Sequence, residues 1–290
     1  MKNFFKAFLN IVFITLLLMF FLDRSYTYIY ENGEPRTKFQ QILKSKKHYD
    51  VAFFGSSRTE NHINCKLITE LTGKSCVNFG ISGSSIGDML ILMKLAENRK
   101  LTFNQVFMQI DYNYNNYGIT DYLTAILIPF IANPVVKKQL HKYNSDNINR
   151  SIPFYRYMEF DKVIGLRELF ATFLKVKSNI DIESGFSPKQ GVGMDVAGSF
   201  PVAIKNNSEE LEQMKELYKN TYTTLEFFTA PYCKAIKNRE FVEKVQLKLP
   251  GLHNYIDIFD DIDEYFFDCG HLNRVGAEVF TKILAEDLLL

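Results

Sequence analysis

The chain has 290 residues, with 34 Lys and Arg against 33 Asp and Glu. This near balance of charge gives no indication of a nucleic-acid or long acidic partner, and the length allows one or two domains with a large core. The spacing of the cysteines is not that of a metal site, so no metal or other cofactor is expected. In an oxidising compartment the simplest pairing joins Cys65 to Cys76 and Cys233 to Cys269, and isolated thiols are the alternative.

Residues 4–22 form a mostly apolar run that is interrupted only by Lys6, Asn10 and Thr15. A helix of about 20 apolar residues crosses a bilayer, so this run predicts a membrane-spanning helix. A cleaved signal peptide is the alternative, and it requires a shorter apolar core and a small-residue cleavage site. The run continues instead into Asp23-Arg24-Ser25-Tyr26, which favours an uncleaved anchor over residues 1–24.

The charges before the anchor predict its orientation. Lys2 and Lys6 precede most of the apolar run, and positive charge is retained on the cytoplasmic side of a membrane. The rest of the chain is therefore expected outside the cytoplasmic membrane, as a single-pass protein. Residues 25–48 are interpreted as a juxtamembrane stalk with a short helix over 36–47, followed by one domain over 49–290.

Within that domain, apolar strand patterns alternate with helical patterns. The predicted strands are 51–54, 76–79, 105–110, 224–229 and 255–259, and the predicted helices are 63–72, 86–98, 208–221, 239–249 and 274–288. Such alternation is typical of an α/β fold, in which helices cover both faces of a parallel sheet.

The segment 114–200 is too long for an ordinary connection and is interpreted as an insertion over the carboxyl edge of the sheet, as a lid or substrate wall. Helical patterns occur at 122–131 and 161–177. The very apolar residues 123–132 predict core, or alternatively a surface that meets the bilayer or a membrane partner.

The strand at 51–54 ends at Gly55 and is followed at once by Ser56 and Ser57. Side chains that follow a strand lie at the carboxyl edge of a parallel sheet, where open α/β folds bind ligands. A serine there is a nucleophile if a base reaches it, and a plain turn is the alternative. The candidate base, His271, lies in the late motif Asp268-Cys-Gly-His271.

Three motifs together resemble the SGNH (GDSL-like) hydrolase superfamily: Gly55-Ser-Ser57, Asn78-Phe-Gly-Ile-Ser-Gly83 and Asp268-Cys-Gly-His271-Leu-Asn-x-x-Gly-Ala277. The resemblance covers roughly residues 49–111 and 224–288. It is greatest to membrane-anchored envelope members, namely the teichoic acid D-alanylation and glycan O-acetylation proteins. It implies a three-layer, flavodoxin-like, parallel five-stranded sheet (the SGNH fold).

The resemblance implies that Ser57 is the nucleophile, His271 the general base and Asp268 the residue that orients the base. The chemistry agrees, because a histidine must take the serine proton and a carboxylate stabilises the imidazolium that forms. The alternative for His271 is a surface residue that caps the last helix.

The resemblance also implies an oxyanion hole made by the backbone N–H groups of Ser57 and Gly83 and the side chain of Asn113. The family has Gly-x-Asn-Asp at the last of these places, whereas this chain has Asp111-Tyr112-Asn113-Tyr114. Asp111 is therefore a candidate pocket residue that changes the charge presented to substrate, and a plain turn is the alternative for both Asp111 and Asn113. Arg58 is a candidate for binding an anionic substrate group, with a structural ion pair as its alternative.

Together these features predict an extracytoplasmic, serine-dependent acyl (O-acetyl) transferase or esterase that acts on a cell-envelope glycan or an acyl carrier. The resemblance implies a membrane-bound O-acyltransferase as partner. A second hypothesis is an accessory SGNH-fold protein, weak or inactive in catalysis, that recruits such an acyltransferase. A third is a plain lipase or esterase.

Overall fold

The computed structural model describes residues 1–45, 47–144, 152–178, 184–193, 198–206 and 208–290. The chain divides into two compact units. The first unit contains Met1–Pro35 and Asp121–Lys177, and the second contains Arg36–Thr120 and Ser178–Leu290. The division predicted from the sequence, into anchor, stalk and hydrolase-like domain, stays a prediction.

The second unit is built on a five-stranded parallel sheet with the strand order β2-β1-β3-β4-β5. Its strands are β1 (His48–Phe54), β2 (Cys76–Asn78), β3 (Thr102–Gln109), β4 (Thr224–Phe228) and β5 (Leu252–His253). This is the flavodoxin-like order, so the predicted α/β fold class is confirmed. The last four residues of β1 are wholly buried, as a strand covered on both faces requires.

Helices of the second unit lie before, between and after these strands in the chain. They are α2 (Lys38–Lys44), α3 (Ser57–Glu60), α4 (Cys65–Thr72), α5 (Ile86–Asn98), α11 (Glu209–Tyr218), α12 (Glu240–Lys248) and α13 (Arg274–Leu288). Helix α4 packs with α13, and α5 packs with α2 and α11. A hairpin of β6 (Phe266–Asp268) and β7 (His271–Leu272) precedes α13, and short 3₁₀ helices follow β3 and precede β6, at Tyr112–Asn115 and Asp263–Tyr265.

The prediction for the fifth strand was wrong. Strand β5 is Leu252–His253, and residues 256–259 form a turn instead of a strand. The ladder ends because the next backbone donors go to side chains: Tyr255 donates to Oγ1 of Thr229 at 2.8 Å, and Ile256 donates to Oδ1 of Asn254 at 3.2 Å. Backbone groups used in this way are not free to extend a sheet.

The regular elements among the described residues of the first unit are all helices. They are α1 (Lys2–Asn32), α6 (Asp121–Leu127), a 3₁₀ turn (Ile128–Phe130), α7 (Pro134–Asn144), α8 (Tyr155–Glu159), α9 (Asp161–Ile164) and α10 (Leu166–Phe173). Helix α1 is long and apolar enough to cross a membrane, and its apolar window is not buried, which is compatible with a single-pass anchor or a signal sequence. Beyond that window α1 packs on α8, where Arg156 forms an ion pair with Asp23 at 2.6 Å.

The apolar residues 123–132 are largely buried in this unit: Leu123, Ala125, Leu127 and Ile128 are at most 1% exposed. They are therefore core, and the alternative of a bilayer-facing surface was wrong for this segment. The helical pattern at 161–177 is broken at Gly165, between α9 and α10. A Cβ at Gly165 would lie 2.1 Å from Oδ1 of Asp161, so the break lies where only glycine allows this close approach.

The predicted stalk at 25–48 contains ordered structure. Helix α1 continues to Asn32, and its Tyr26 and Tyr30 are 6% and 3% exposed. Helix α2 is shorter than predicted, and its Phe39 and Ile42 are fully buried in the second unit. Apolar burial of this kind shows that α2 belongs to a core and is not a free linker.

Candidate active site

Ser57 lies at the carboxyl end of β1, at the first position of α3. The turn before it requires glycine, because a Cβ at Gly55 would lie 1.9 Å from Oγ1 of Thr59. The backbone N–H and the hydroxyl of Ser56 both donate to Oε1 of Gln109, at 2.8 Å each. Every residue from position 51 to 63 is buried except Ser57, so its hydroxyl is the part of this segment that an incoming molecule reaches.

The structure brings the three predicted catalytic side chains together. Oγ of Ser57 lies 2.8 Å from Nε2 of His271. Nδ1 of His271 lies 2.9 Å and 3.0 Å from the two carboxylate oxygens of Asp268. A carboxylate at Nδ1 holds the proton on that nitrogen and leaves the Nε2 lone pair to accept the serine proton. The helix-cap alternative for His271 was wrong, because Asn273 caps α13 by accepting from the N–H of Gly276 at 3.0 Å.

The loop that carries His271 is bonded on both sides of the imidazole to the segment that carries Ser57. Before His271, the carbonyl of Gly270 accepts a hydrogen bond from the guanidinium of Arg58. After it, the N–H of Leu272 donates to Nε2 of His62 at 3.0 Å. These contacts hold the loop of the base against the segment of the nucleophile. A catalytic pair is preorganised when the folded protein fixes its geometry in this way.

The predicted disulfides form, Cys65 with Cys76 and Cys233 with Cys269. Cys269 lies between Asp268 and His271 in the chain, and its carbonyl also accepts from the N–H of Cys233 at 3.1 Å. The loop of the base is thereby tied covalently to the segment that follows β4.

The environment lowers the pKa of His271 below its ordinary value of 6.5. Burial is the largest cause, and the charges of Arg58 and Lys189 act in the same direction, while Asp268 opposes them. At neutral pH the imidazole is therefore unprotonated, which is the form that a general base needs.

Arg58 and Asp111, both suggested as substrate-binding residues, are buried against each other. Their side chains are 1% and 0% exposed, and Nε of Arg58 donates to Oδ2 of Asp111 at 2.9 Å. The guanidinium also donates to the carbonyls of Ala230 at 2.6 Å and Pro231 at 2.7 Å, and it stacks 3.3 Å from the ring centre of Tyr232. Arg58 therefore forms the structural ion pair that was the alternative to substrate binding. The carboxylate of Asp111 lies in the protein interior, beneath the site.

The predicted oxyanion residues occupy different environments. Gly83 is exposed and has φ +77° in the loop between β2 and α5, which is anchored where the N–H of Ile81 donates to the carbonyl of Gly55 at 2.9 Å. Asn113 is fully buried, and its amide donates to the carbonyl of Gln109 at 3.3 Å and accepts from the N–H of Asp111 at 2.9 Å. The oxyanion roles of Ser57, Gly83 and Asn113 stay predictions.

The sequence reasoning missed a buried ion pair that braces the Gly83 loop. Lys38 of α2 lies 3.3 Å from Oε1 of Glu60 and donates to the carbonyl of Gly80. Oε2 of Glu60 accepts from the N–H of Ser82 at 3.0 Å and from its hydroxyl. Burial lowers the pKa of Lys38 to about 8, and the charge of Glu60 opposes that shift. No sequence signal indicated this brace, because Lys38 fell in the predicted stalk.

His62 was also missed. It is fully buried between the nucleophile segment and the base loop, and its ring centre lies 6.1 Å from that of His271. Its pKa is lowered well below 6.5, first by burial and then by the charges of Arg58 and His271. Since its Nε2 accepts a hydrogen bond, its proton is on Nδ1. The sequence offered one indication of a role for His62, because it lies soon after Ser57 in a chain with 5 histidines.

The sequence matches no protein-family model and no curated protein. Among solved structures it is similar to a gut microbial diltiazem-metabolizing enzyme, with 13% identity and a TM-score of 0.40 over 84% of this chain and 48% of that chain. It is also similar to a protein described as a platelet activating factor from Streptococcus pneumoniae, with 13% identity and a TM-score of 0.29 over 98% and 99% of the two chains. The chain thus spans about half the length of the first of these proteins. Likenesses this weak carry no argument about activity, which must come from the site itself.

Proposed function

We propose that this chain is an SGNH-type serine acyltransferase or ester hydrolase. The observation that carries the proposal is the continuous contact from Oγ of Ser57 to Nε2 of His271 at 2.8 Å and from Nδ1 of His271 to Asp268 at 2.9 Å. A hydroxyl, an unprotonated imidazole and a carboxylate in this arrangement perform acyl transfer on unrelated folds.

In the proposed reaction His271 takes the proton of Ser57 as the serine oxygen attacks the carbonyl of an acyl ester. The tetrahedral intermediate collapses, the bond to the leaving alcohol breaks, and His271 returns the proton to that alcohol. Water or a second hydroxyl then attacks the acyl-serine, with His271 again as the base, and Ser57 regains its proton. Asp268 stabilises the imidazolium in both halves of the reaction.

The proposed substrate is a small acyl ester, most simply O-acetyl, on a cell-envelope glycan. Helix α1 and the disulfides support a place outside the cytoplasmic membrane, because disulfides persist in oxidising compartments. A membrane-bound O-acyltransferase that supplies the acyl group is part of this proposal. The accessory-protein hypothesis loses support, because the apolar segment that suggested a recruiting surface is core and the three catalytic side chains are in contact.

The test is labelling of the purified full chain with a fluorophosphonate, which reacts with activated serines. We expect stoichiometric labelling of the parent protein, none of Ser57→Ala, and full labelling of the control Ser187→Ala. Ser187 is a half-buried serine of the same unit whose backbone N–H donates to the carbonyl of Glu60 at 3.0 Å. Equal labelling of Ser57→Ala and parent would remove the nucleophile assignment.

The molecule that accepts the acyl group distinguishes a hydrolase from a transferase. Turnover of an aryl acetate in water alone supports an esterase. Acetyl transfer to an added glycan, at the expense of hydrolysis, supports a transferase. Restoration of glycan acylation in a deletion strain by His271→Ala would instead support the accessory protein.

A further inference from the structure

An apolar stripe is exposed on helix α10 of the first unit. Leu166, Phe170, Phe173 and Leu174 are 56%, 53%, 63% and 66% exposed. Their spacing of i, i+4, i+7 and i+8 places them on one side of a helix. Leu169, on the adjoining side, is buried, so α10 packs on its own unit with that side and leaves the stripe exposed.

Helix α10 packs on the carboxyl-terminal end of α1. The approach is close, because a Cβ at Gly33 would lie 2.4 Å from Cγ2 of Thr172. From there an apolar groove of about 590 Å³ runs back along α1 to Phe21, with Phe173 and Lys175 on its other wall. The stripe is therefore continuous with the exposed apolar surface of α1.

The length of α1 places this groove at a membrane surface. A bilayer core about 30 Å thick takes up about 20 helical residues, whereas α1 has 31. The apolar run ends before Asp23, which is the first buried residue of α1 and forms an ion pair with Arg156 at 2.6 Å. Phe21, at one end of the groove, thus lies within the apolar run, and Gly33 lies beyond it.

The charged residues of the groove also agree with a position at the membrane surface. Arg24 and Lys175 line it, and none of the described residues that line it is acidic. Basic side chains at the edge of an apolar helical face are typical of elements that lie in the interface of a bilayer with anionic lipids.

We propose that the α10 stripe and its groove seat in the interfacial layer of the bilayer that α1 crosses, with Arg24 and Lys175 bound to the phosphates of anionic lipid headgroups. This rests on the membrane-anchor part of the proposed function. The first unit is then a platform held by a spanning helix and an interfacial helix together. The occupant is the bulk phospholipid of the membrane.

The test uses the full chain in nanodiscs of phosphatidylcholine and phosphatidylglycerol, with single cysteines that carry a bimane fluorophore and with brominated lipids as quencher. The described cysteines are all in disulfides, so an added thiol is labelled selectively. Labels go to Phe170→Cys and Leu174→Cys on the stripe, to Phe13→Cys in α1, and to Glu168→Cys. Glu168 is the matched control, because about 3.6 residues per turn place it on the side of α10 opposite the stripe.

We expect strong quenching at positions 13, 170 and 174 and several-fold weaker quenching at 168. We also expect that Arg24→Gln with Lys175→Gln reduces quenching at 174 when phosphatidylglycerol is present and has little effect in phosphatidylcholine alone. If position 13 is quenched but positions 170 and 174 are quenched no more than position 168, this inference is overturned and the anchor is retained.

Three further outcomes are also decisive. Absence of quenching at 13 would overturn the anchor and this inference together. Quenching at 170 and 174 only after a polyprenyl-phosphate lipid is added would assign the groove to a lipid-linked substrate, and labels that stay in water in every lipid mixture would leave the stripe to a protein partner. Either result would overturn the seating in bulk lipid.

Discussion

Leu272 donates its backbone N–H to Nε2 of the buried His62 at 3.0 Å. His62 follows the helix that carries Ser57, and Leu272 follows the base, His271. A histidine that takes no part in the chemistry thus joins the two segments that must meet. We infer that His62 is a positioning residue.

We predict that His62→Leu lowers kcat by about 10-fold to 100-fold, because a misplaced catalytic group is costly even when it is present. KM should change little, since His62 is fully buried. Steady-state kinetics on an aryl acetate measure this split. His62→Gln, whose side-chain oxygen is again an acceptor, should recover most of kcat; equal losses in both variants would argue against positioning.

The same histidine predicts a pH dependence of stability. The pKa of His62 lies well below 6.5 in the folded chain, so under acid conditions the unfolded state binds a proton that the native state does not. The free energy of unfolding should therefore fall as pH is lowered below about 6.5 and should level off above it. Urea unfolding across this range checks the prediction, and His62→Gln should flatten the slope. A parent slope unchanged by the substitution would contradict it.

For catalysis, we predict that the acid limb of kcat/KM has its midpoint below pH 6.5, because burial, Arg58 and Lys189 lower the pKa of His271. Lys189→Gln removes one of these positive charges, so the limb should move to higher pH. The control is Lys248→Gln, at the exposed end of α12, which should leave the profile in place. A shift of the acid limb to lower pH in Lys189→Gln would contradict the predicted effect of Lys189 on the pKa of His271.

Asp268→Asn tests the orienting carboxylate. The amide cannot hold the same imidazole tautomer or stabilise the imidazolium, so kcat should fall by about 10⁴-fold. The fold should survive, because Asp268 is partly exposed, with 34% of its side chain accessible. Circular dichroism and turnover on the same sample separate the two effects; a loss of only a few-fold would mean that Asp268 is not part of the catalytic set.

Arg58 and Asp111 predict a large effect on stability. Removing one partner of a buried ion pair leaves the other charge uncompensated, so Arg58→Met should lower the free energy of unfolding by about 3–5 kcal/mol. The double variant Arg58→Met with Asp111→Leu should recover part of that loss. As a control, Lys219→Ala removes an ion pair whose side chains are both 66% exposed and should change stability little. A small effect of Arg58→Met would return Arg58 to the substrate-binding alternative.

Elements with local signals were predicted well from the sequence. Helices α5 and α13 begin and end at the predicted residues. Their starts are fixed locally, because the N-cap residues Ser85 and Asn273 accept hydrogen bonds from the first turn of each helix. The strand before Ser57 was recognisable as a short buried apolar run. The motifs likewise predicted which hydroxyl, imidazole and carboxylate the fold brings together.

Contacts between distant residues were not predictable in the same way. A lone His62 or Lys38 has no periodic pattern, and its partners, Leu272 and Gly80, lie on other elements. Strand β5 ends where it does because of Thr229, the residue directly after β4. The hydroxyl of Thr229 accepts a hydrogen bond from the backbone N–H of Tyr255, which is then not free to extend the sheet. Tertiary hydrogen bonds of this kind override local preference for strand.

The bond between Cys233 and Cys269 links the state of the loop that carries His271 to the redox compartment. While thiols are kept reduced, as in the cytosol during synthesis, the loop between Asp268 and His271 lacks its covalent tether. The loop of the base is then held without a covalent bond, by hydrogen bonds that include those of Gly270, Leu272 and the carbonyl of Cys269. If the chain lies outside the cytoplasmic membrane, as proposed, this tether forms only after translocation, so the loop of the base becomes covalently fixed on the side of the membrane where the proposed substrate lies.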